Sequence, residues 1–119
     1  MIKLLLIILF FNITSFSDLY FFGKEINSLV EKEVSFDYFL IPYTLLTGKG
    51  DCYNVARLFN FGLNLRGVSN EILFVDSSGD GLLDHTVVRV NDSSFGCYII
   101  DVVNSEFNEC VGGDSVWVR

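Results

Sequence analysis

The 119-residue chain predicts an α+β fold in which a cysteine-bearing helix packs against a small antiparallel sheet. Three observations lead there. In CYNVARLFNFGLNL, residues 52–65, the apolar residues Val55, Ala56, Leu58, Phe59, Leu63 and Leu65 cover most of a helical surface, while Asn54, Arg57, Asn60 and Asn64 mark a narrow polar stripe. Downstream, the β-rich runs EILFV, HTVVRV and CYIID are separated by the turn-forming clusters SSGDG and NDSSFG. Half of all residues are hydrophobic and only one is proline, which is core material for one domain and no more.

The chain begins with Lys3, an apolar run from Leu4 to Phe11 and then small polar residues. That run is too short to span about 30 Å of hydrocarbon as a helix, and it matches the core of a signal peptide. Ser15 and Ser17 are the small residues that flank a cleavage before Asp18. The expected organisation is a signal peptide over 1–17 and a single domain over 18–119, secreted or periplasmic. The alternative is that residues 4–11 form a buried first strand or helix of a cytosolic domain. GKEINSLVEKEV follows, with Ile26, Leu29 and Val30 on one face of a short amphipathic helix. The next segment, SFDYFLIPYTLLT, is interrupted by Pro42 and reads as an edge strand or a broken helix.

The main helix starts at Cys52, after a Gly-rich turn in which Asp51 is an N-cap or a solvated charge, and Gly67 ends it. EILFV reads as a strand apolar on both faces. HTVVRV and CYIID form an antiparallel hairpin, and SVWVR adds a possible edge strand. With the turn centred on Ser93, position 85 opposes 101, 87 opposes 99 and 89 opposes 97. A one-residue slip would send Asp101 to the other face, so the reading requires a loop of three or five residues.

Net charge is −7, and loss of residues 1–17 removes Lys3 and no acid, giving −8. Such a chain lacks the electrostatic footprint for nucleic acid or anionic lipid, so both are excluded as main partners, with membrane contact confined to export. Three cysteines are an odd number for an oxidising compartment. Cys97 and Cys110, close in sequence, are assigned to each other, which leaves Cys52 free.

A thiol at a helix N-terminus feels the positive end of the backbone dipole and its unpaired N–H groups, an environment that favours thiolate. His85 begins one strand of the hairpin and Asp101 ends the other, so the open end of the hairpin brings them together. Cys52 is then the nucleophile, His85 the base that takes its proton, and Asp101 the carboxylate that holds the imidazole in one tautomer. The Cys52 N–H is the natural first donor to an oxyanion. There is no glutamine to supply a second, which leaves Tyr43. His85 is the only histidine, so nothing can replace it. No cofactor or metal is expected. Asp76, Ser78, Asp80 and Gly81 resemble part of a calcium loop, but the twelfth position is Val87 instead of Glu, so a polar turn accounts for them better. Asn91-Asp92-Ser93 is a glycosylation sequon in a host that glycosylates exported proteins.

GKGDCYNVARLFNFGLNLRGV, EILFV, DHTVVRV and YIID, taken together, resemble the papain-like core of the transglutaminase-like superfamily. In that family a Cys opens a helix, a His opens a strand and an Asp closes the next. The resemblance covers about Gly48 to Asp101 and places Cys52, His85 and Asp101 on the family's triad, with Tyr53 where many members carry tryptophan. It implies a thiol hydrolase or acyltransferase that works on an amide through a thioester and takes a protein or peptide, glycan-linked amides included. Because the family also includes members without activity, the alternative is a secreted binding module on the same fold.

Overall fold

A computed structural model describes residues 2–32, 45, 48–75, 85–93 and 95–110. Its elements are α1 (Ile2–Phe10), α2 (Phe16–Leu29), β1 (Glu31–Lys32), β2 (Lys49–Gly50), α3 (Cys52–Leu65), β3 (Asn70–Val75), β4 (His85–Asp92), β5 (Gly96–Asp101) and β6 (Glu106–Glu109). The fold is α+β as expected. Four antiparallel strands lie in the order β3-β4-β5-β6, and α3 packs against β3 and β4. The segment around Pro42 with Tyr43, the calcium-like residues 76–81 and SVWVR lie outside the described residues.

Helix α3 forms where its pattern predicts. Asp51 caps it: the Asp51 carboxylate accepts from the Asn54 N–H (3.1 Å) and Asn54 Oδ1 accepts from the Asp51 N–H (2.9 Å). Asn54 therefore does not belong to the outward polar stripe; this reciprocal cap buries it. At the other end Gly67 takes φ +71 and its N–H reaches the Asn64 carbonyl. Val55, Leu58, Phe59 and Leu63 are buried, and the face of the sheet opposite them supplies Val88, Val90 and Ile100. The far face of the sheet holds a smaller cluster of Val75, Val87 and Ile99.

Three elements depart from the sequence reading. The amphipathic helix is longer than expected and begins at Phe16, with Ser15 as N-cap accepting from the Asp18 N–H. The cleavage position expected before Asp18 thus lies in the first turn of α2. Residues 2–10 form α1, whose Leu4 and Ile8 are buried against α2 and α3. No helix among the described residues is long and apolar enough to cross a membrane. Strand β3 is not buried on both faces: it is the edge of the sheet, with Glu71 and Phe74 exposed. The fourth strand of the sheet is Glu106–Glu109, which alternation did not reveal because Phe107 is its one apolar residue.

Cys97 and Cys110 are joined in a disulfide linking β5 to the end of β6, and Cys52 is a free thiol. The hairpin register differs from the expected one by two residues. The observed pairs run from Val88 opposite Ile100 to Asp92 opposite Gly96, around a three-residue loop in which the Phe95 N–H reaches the Asp92 carbonyl (3.2 Å). Strand β4 continues two residues further than HTVVRV before it turns. Extended toward the open end, this register sets Val87 opposite Asp101 and His85 diagonal to it. A shift of two preserves which face each side chain occupies, so His85 and Asp101 remain on one face.

Candidate active site

The site forms where α3 begins and the β4–β5 hairpin opens. His85 is the first residue of β4 and Asp101 the last of β5, and a diagonal pair on one face lies within reach of a long or aromatic side chain. The imidazole covers that diagonal: His85 Nε2 lies 2.7 Å from Asp101 Oδ2. Asp101 is only 4% exposed, and Asn104 satisfies its remaining lone pairs. The Asn104 N–H donates to Oδ1 (3.2 Å) and the Asn104 side-chain amide to Oδ2 (2.8 Å). Asp101 is thus both the partner of the imidazole and the anchor of the following turn.

Cys52 completes the cluster from the helix side. Its thiol and the His85 imidazole shift each other's proton affinity, and because Nε2 is engaged by Asp101, Nδ1 is the ring nitrogen left for the thiol. The sulfur also lies 4.0 Å from Thr86 Oγ1. Alternation sends His85 and Thr86 to opposite faces of β4, so one sulfur meets both only at the end of the strand. That is where the first turn of α3 sits.

The electrostatics favour separated charge. The Asp101 hydrogen bond, then the Cys52 hydrogen bond, raise the His85 imidazole from 6.5 to about 10 against the opposing pull of burial. Burial pushes the Cys52 thiol up, but the His85 hydrogen bond and charge, with the Thr86 hydroxyl and N–H, outweigh it and bring the thiol below its ordinary value. Asp101 follows the same logic: burial raises it, while His85 and Asn104 together hold the carboxyl below the usual range. These directions favour a thiolate, an imidazolium and a carboxylate in series.

All three residues singled out in the sequence are therefore brought together. Thr86 and Asn104 were missed. The spacing of Asp101 and Asn104, three residues apart in a turn, is a local signal that could have identified Asn104. Thr86 carries no such signal, since its contact depends on where α3 docks. Among the described residues no group of His, Cys, Asp or Glu could hold a metal ion. No family model, curated protein or solved structure matches this chain.

Proposed function

We propose that this protein is an exported thiol-dependent amide hydrolase or acyltransferase, similar in its catalytic core to the transglutaminase-like superfamily. The main support is the His85–Asp101 pair, with Nε2 2.7 Å from Oδ2, beside a free Cys52 thiol whose proton affinity that imidazole lowers. In this reading the Cys52 thiolate attacks the amide carbonyl, and the C–N bond breaks as the imidazolium passes its proton to the departing amine. A thioester remains on Cys52. Water or a second amine, deprotonated by the now neutral His85, then displaces the sulfur and takes the acyl group. Asp101 keeps the imidazole oriented and balances its charge through both steps. The Cys52 N–H, a first-turn donor that no carbonyl of its own helix can reach, is available to the oxyanion.

Export belongs to the same proposal. It is supported by the apolar run from Leu4 to Phe11 and by the Cys97–Cys110 bond, a type of cross-link that persists in oxidising compartments. The substrate is a protein or peptide. Labelling with iodoacetamide followed by intact mass tests the enzyme reading. Selective alkylation of Cys52 near neutral pH, lost in His85→Ala, is the expected result. Slow alkylation that ignores His85 would leave a secreted binding module on this fold.

A further inference from the structure

Beside the thiol lies a second cluster to which the relay gives no role. Tyr53, next to Cys52 on α3, stacks on Phe74 of β3 with ring centroids 5.5 Å apart and planes at 20°. Phe74 stands opposite Thr86, the residue that touches the Cys52 sulfur, so the aromatic pair and the nucleophile are contiguous. Phe74 is 49% exposed, although it lies on the side of the sheet that α3 covers. Arg57, one turn after Tyr53, bonds the Tyr53 hydroxyl through Nη1 (3.1 Å) and sits 5.8 Å from its ring.

The guanidinium of Arg57 is the unusual member. Arg89 is paired with Glu71, and Arg66 is bonded to backbone carbonyls. Arg57 faces no carboxylate among the described residues, in a chain with 15 acids and 8 bases. An exposed ring next to a cation that faces no carboxylate among the described residues is complementary to an aromatic side chain next to a carboxylate. Geometry also selects the side of the scissile bond. The leaving amine must lie toward His85 to receive its proton, whereas Tyr53 and Phe74 lie toward Thr86, which alternation places on the other face of β4.

We propose that Tyr53, Phe74 and Arg57 form a specificity surface for the acyl portion of the substrate, taking an aromatic residue at the scissile carbonyl and an acidic residue before it. This rests on the reading of Cys52 as nucleophile. The ring of the substrate packs on the exposed part of Phe74, and the carboxylate meets the Arg57 guanidinium.

Three peptidyl chloromethyl ketones test it: acetyl-Glu-Phe, acetyl-Lys-Phe and acetyl-Ala-Ala. Their rates of Cys52 alkylation, followed by intact mass, are each divided by the iodoacetamide rate of the same variant, which removes differences in the thiol itself. The expected result is about a tenfold preference for acetyl-Glu-Phe over acetyl-Ala-Ala and about threefold over acetyl-Lys-Phe. Phe74→Ala should reduce the first preference to the share that Arg57 supplies and Arg57→Gln should abolish the second, with Phe74→Leu, which keeps apolar bulk at this edge position, losing most of the aromatic preference. Equal normalised rates for the three probes, or preferences that survive both substitutions, would overturn the specificity surface alone. If iodoacetamide reacts equally with wild type and His85→Ala, the nucleophile reading fails and the surface fails with it.

Discussion

The two ends of α3 each carry a cluster of charged and polar groups, and they use it in opposite ways. At the C-terminal end, Arg66 donates to the carbonyls of Ile7, Ile8, Phe11 and Gly62 at 2.6–3.3 Å and lies over the Phe22 ring at 4.6 Å. Every acceptor there is a backbone carbonyl, which cannot titrate. Burial lowers the Arg66 guanidinium from its ordinary value, but it stays a fixed cation at any physiological pH. At the N-terminal end, Cys52, His85 and Asp101 share protons with one another, and each is moved away from its ordinary value by its neighbour. A fixed charge fully occupied by fixed dipoles joins elements together. A chain of groups that titrate against each other can move a proton.

The largest effect that would break this contrast is at the structural end. Arg66→Met removes the donors that cap α1 and leaves carbonyls in a tightly packed region without partners, so it should cost about 3 kcal/mol of folding stability. Urea unfolding measures it, and the iodoacetamide rate of the folded protein should not change. The same variant bears on export. In a chain cut before Asp18, Ile7, Ile8 and Phe11 are gone and Arg66 keeps only the Gly62 carbonyl, so the cost should fall to about 1 kcal/mol. A cost that stays the same in both chains would mean that Arg66 does not act through α1. Close packing at this end is also visible at Gly62, where a Cβ would stand 2.3 Å from the Phe22 ring.

The next effect lies at the chemical end. His85→Ala should slow alkylation of Cys52 at neutral pH about a hundredfold, and the midpoint of its pH profile should move upward once the imidazolium is lost. Stability carries the same signature with a definite sign. Between 6.5 and 9.0, the ordinary imidazole and thiol values, folded His85 keeps a proton that the unfolded imidazole has lost, while the lowered folded thiol releases a proton that the unfolded thiol keeps, so the two contributions to the slope oppose each other. Above 9.0 the unfolded chain has lost both while folded His85 keeps its proton up to about 10. The contribution of the pair to stability therefore falls as pH rises through that window. Unfolding free energies at pH 7, 8, 9 and 10 check this, and a stability that climbs from 9 to 10 would contradict an imidazolium here.

How much of the contrast was legible in the sequence follows from the range of each interaction. The N-terminal end of α3 was readable because its parts are local. Asp51 stands directly before the helix as an N-cap candidate, although its reciprocal partner Asn54 was read as part of the polar stripe, and the hairpin fixes His85 and Asp101 on one face through parity alone, which survived an error of two in the register. The C-terminal end was not. Arg66 meets its partners across 55 to 59 residues, and in the sequence it looks like an ordinary basic residue near a helix end. The same holds for Asn60 and Asn70, whose 2.6 Å bond ties α3 to β3 and turns part of the supposed polar stripe into a contact.

A smaller effect separates orientation from chemistry within the relay. Asp101→Asn keeps the shape of the side chain and its Asn104 N–H contact, but it weakens the hydrogen bond that does most to raise His85 and removes the carboxylate charge behind it. Alkylation near neutral pH should slow about tenfold, with the His85 pKa dropping by roughly one unit or more. Titration of the single histidine by NMR reads that shift directly. A histidine still titrating near 10 in Asp101→Asn would shift the credit to Cys52.

The smallest effect concerns Thr86, whose hydroxyl lies 4.0 Å from the Cys52 sulfur and whose side chain is 4% exposed. A buried hydroxyl needs a partner, and a thiolate is a better acceptor than a thiol. The hydroxyl therefore favours the ionised sulfur without taking its proton, which makes Thr86 a positioning residue and not a base. Thr86→Val has nearly the same volume and leaves the backbone N–H in place, so the core facing α3 should pack as before while one donor to the sulfur is lost. The expected change is about threefold slower alkylation at neutral pH, with the midpoint of the pH profile displaced upward and the plateau rate at high pH unchanged. Thr86→Ser, which restores the hydroxyl without the methyl, should bring the midpoint back. A merely structural Thr86 would behave the opposite way: Ser would be the worse replacement, Val the better, and neither would move the midpoint.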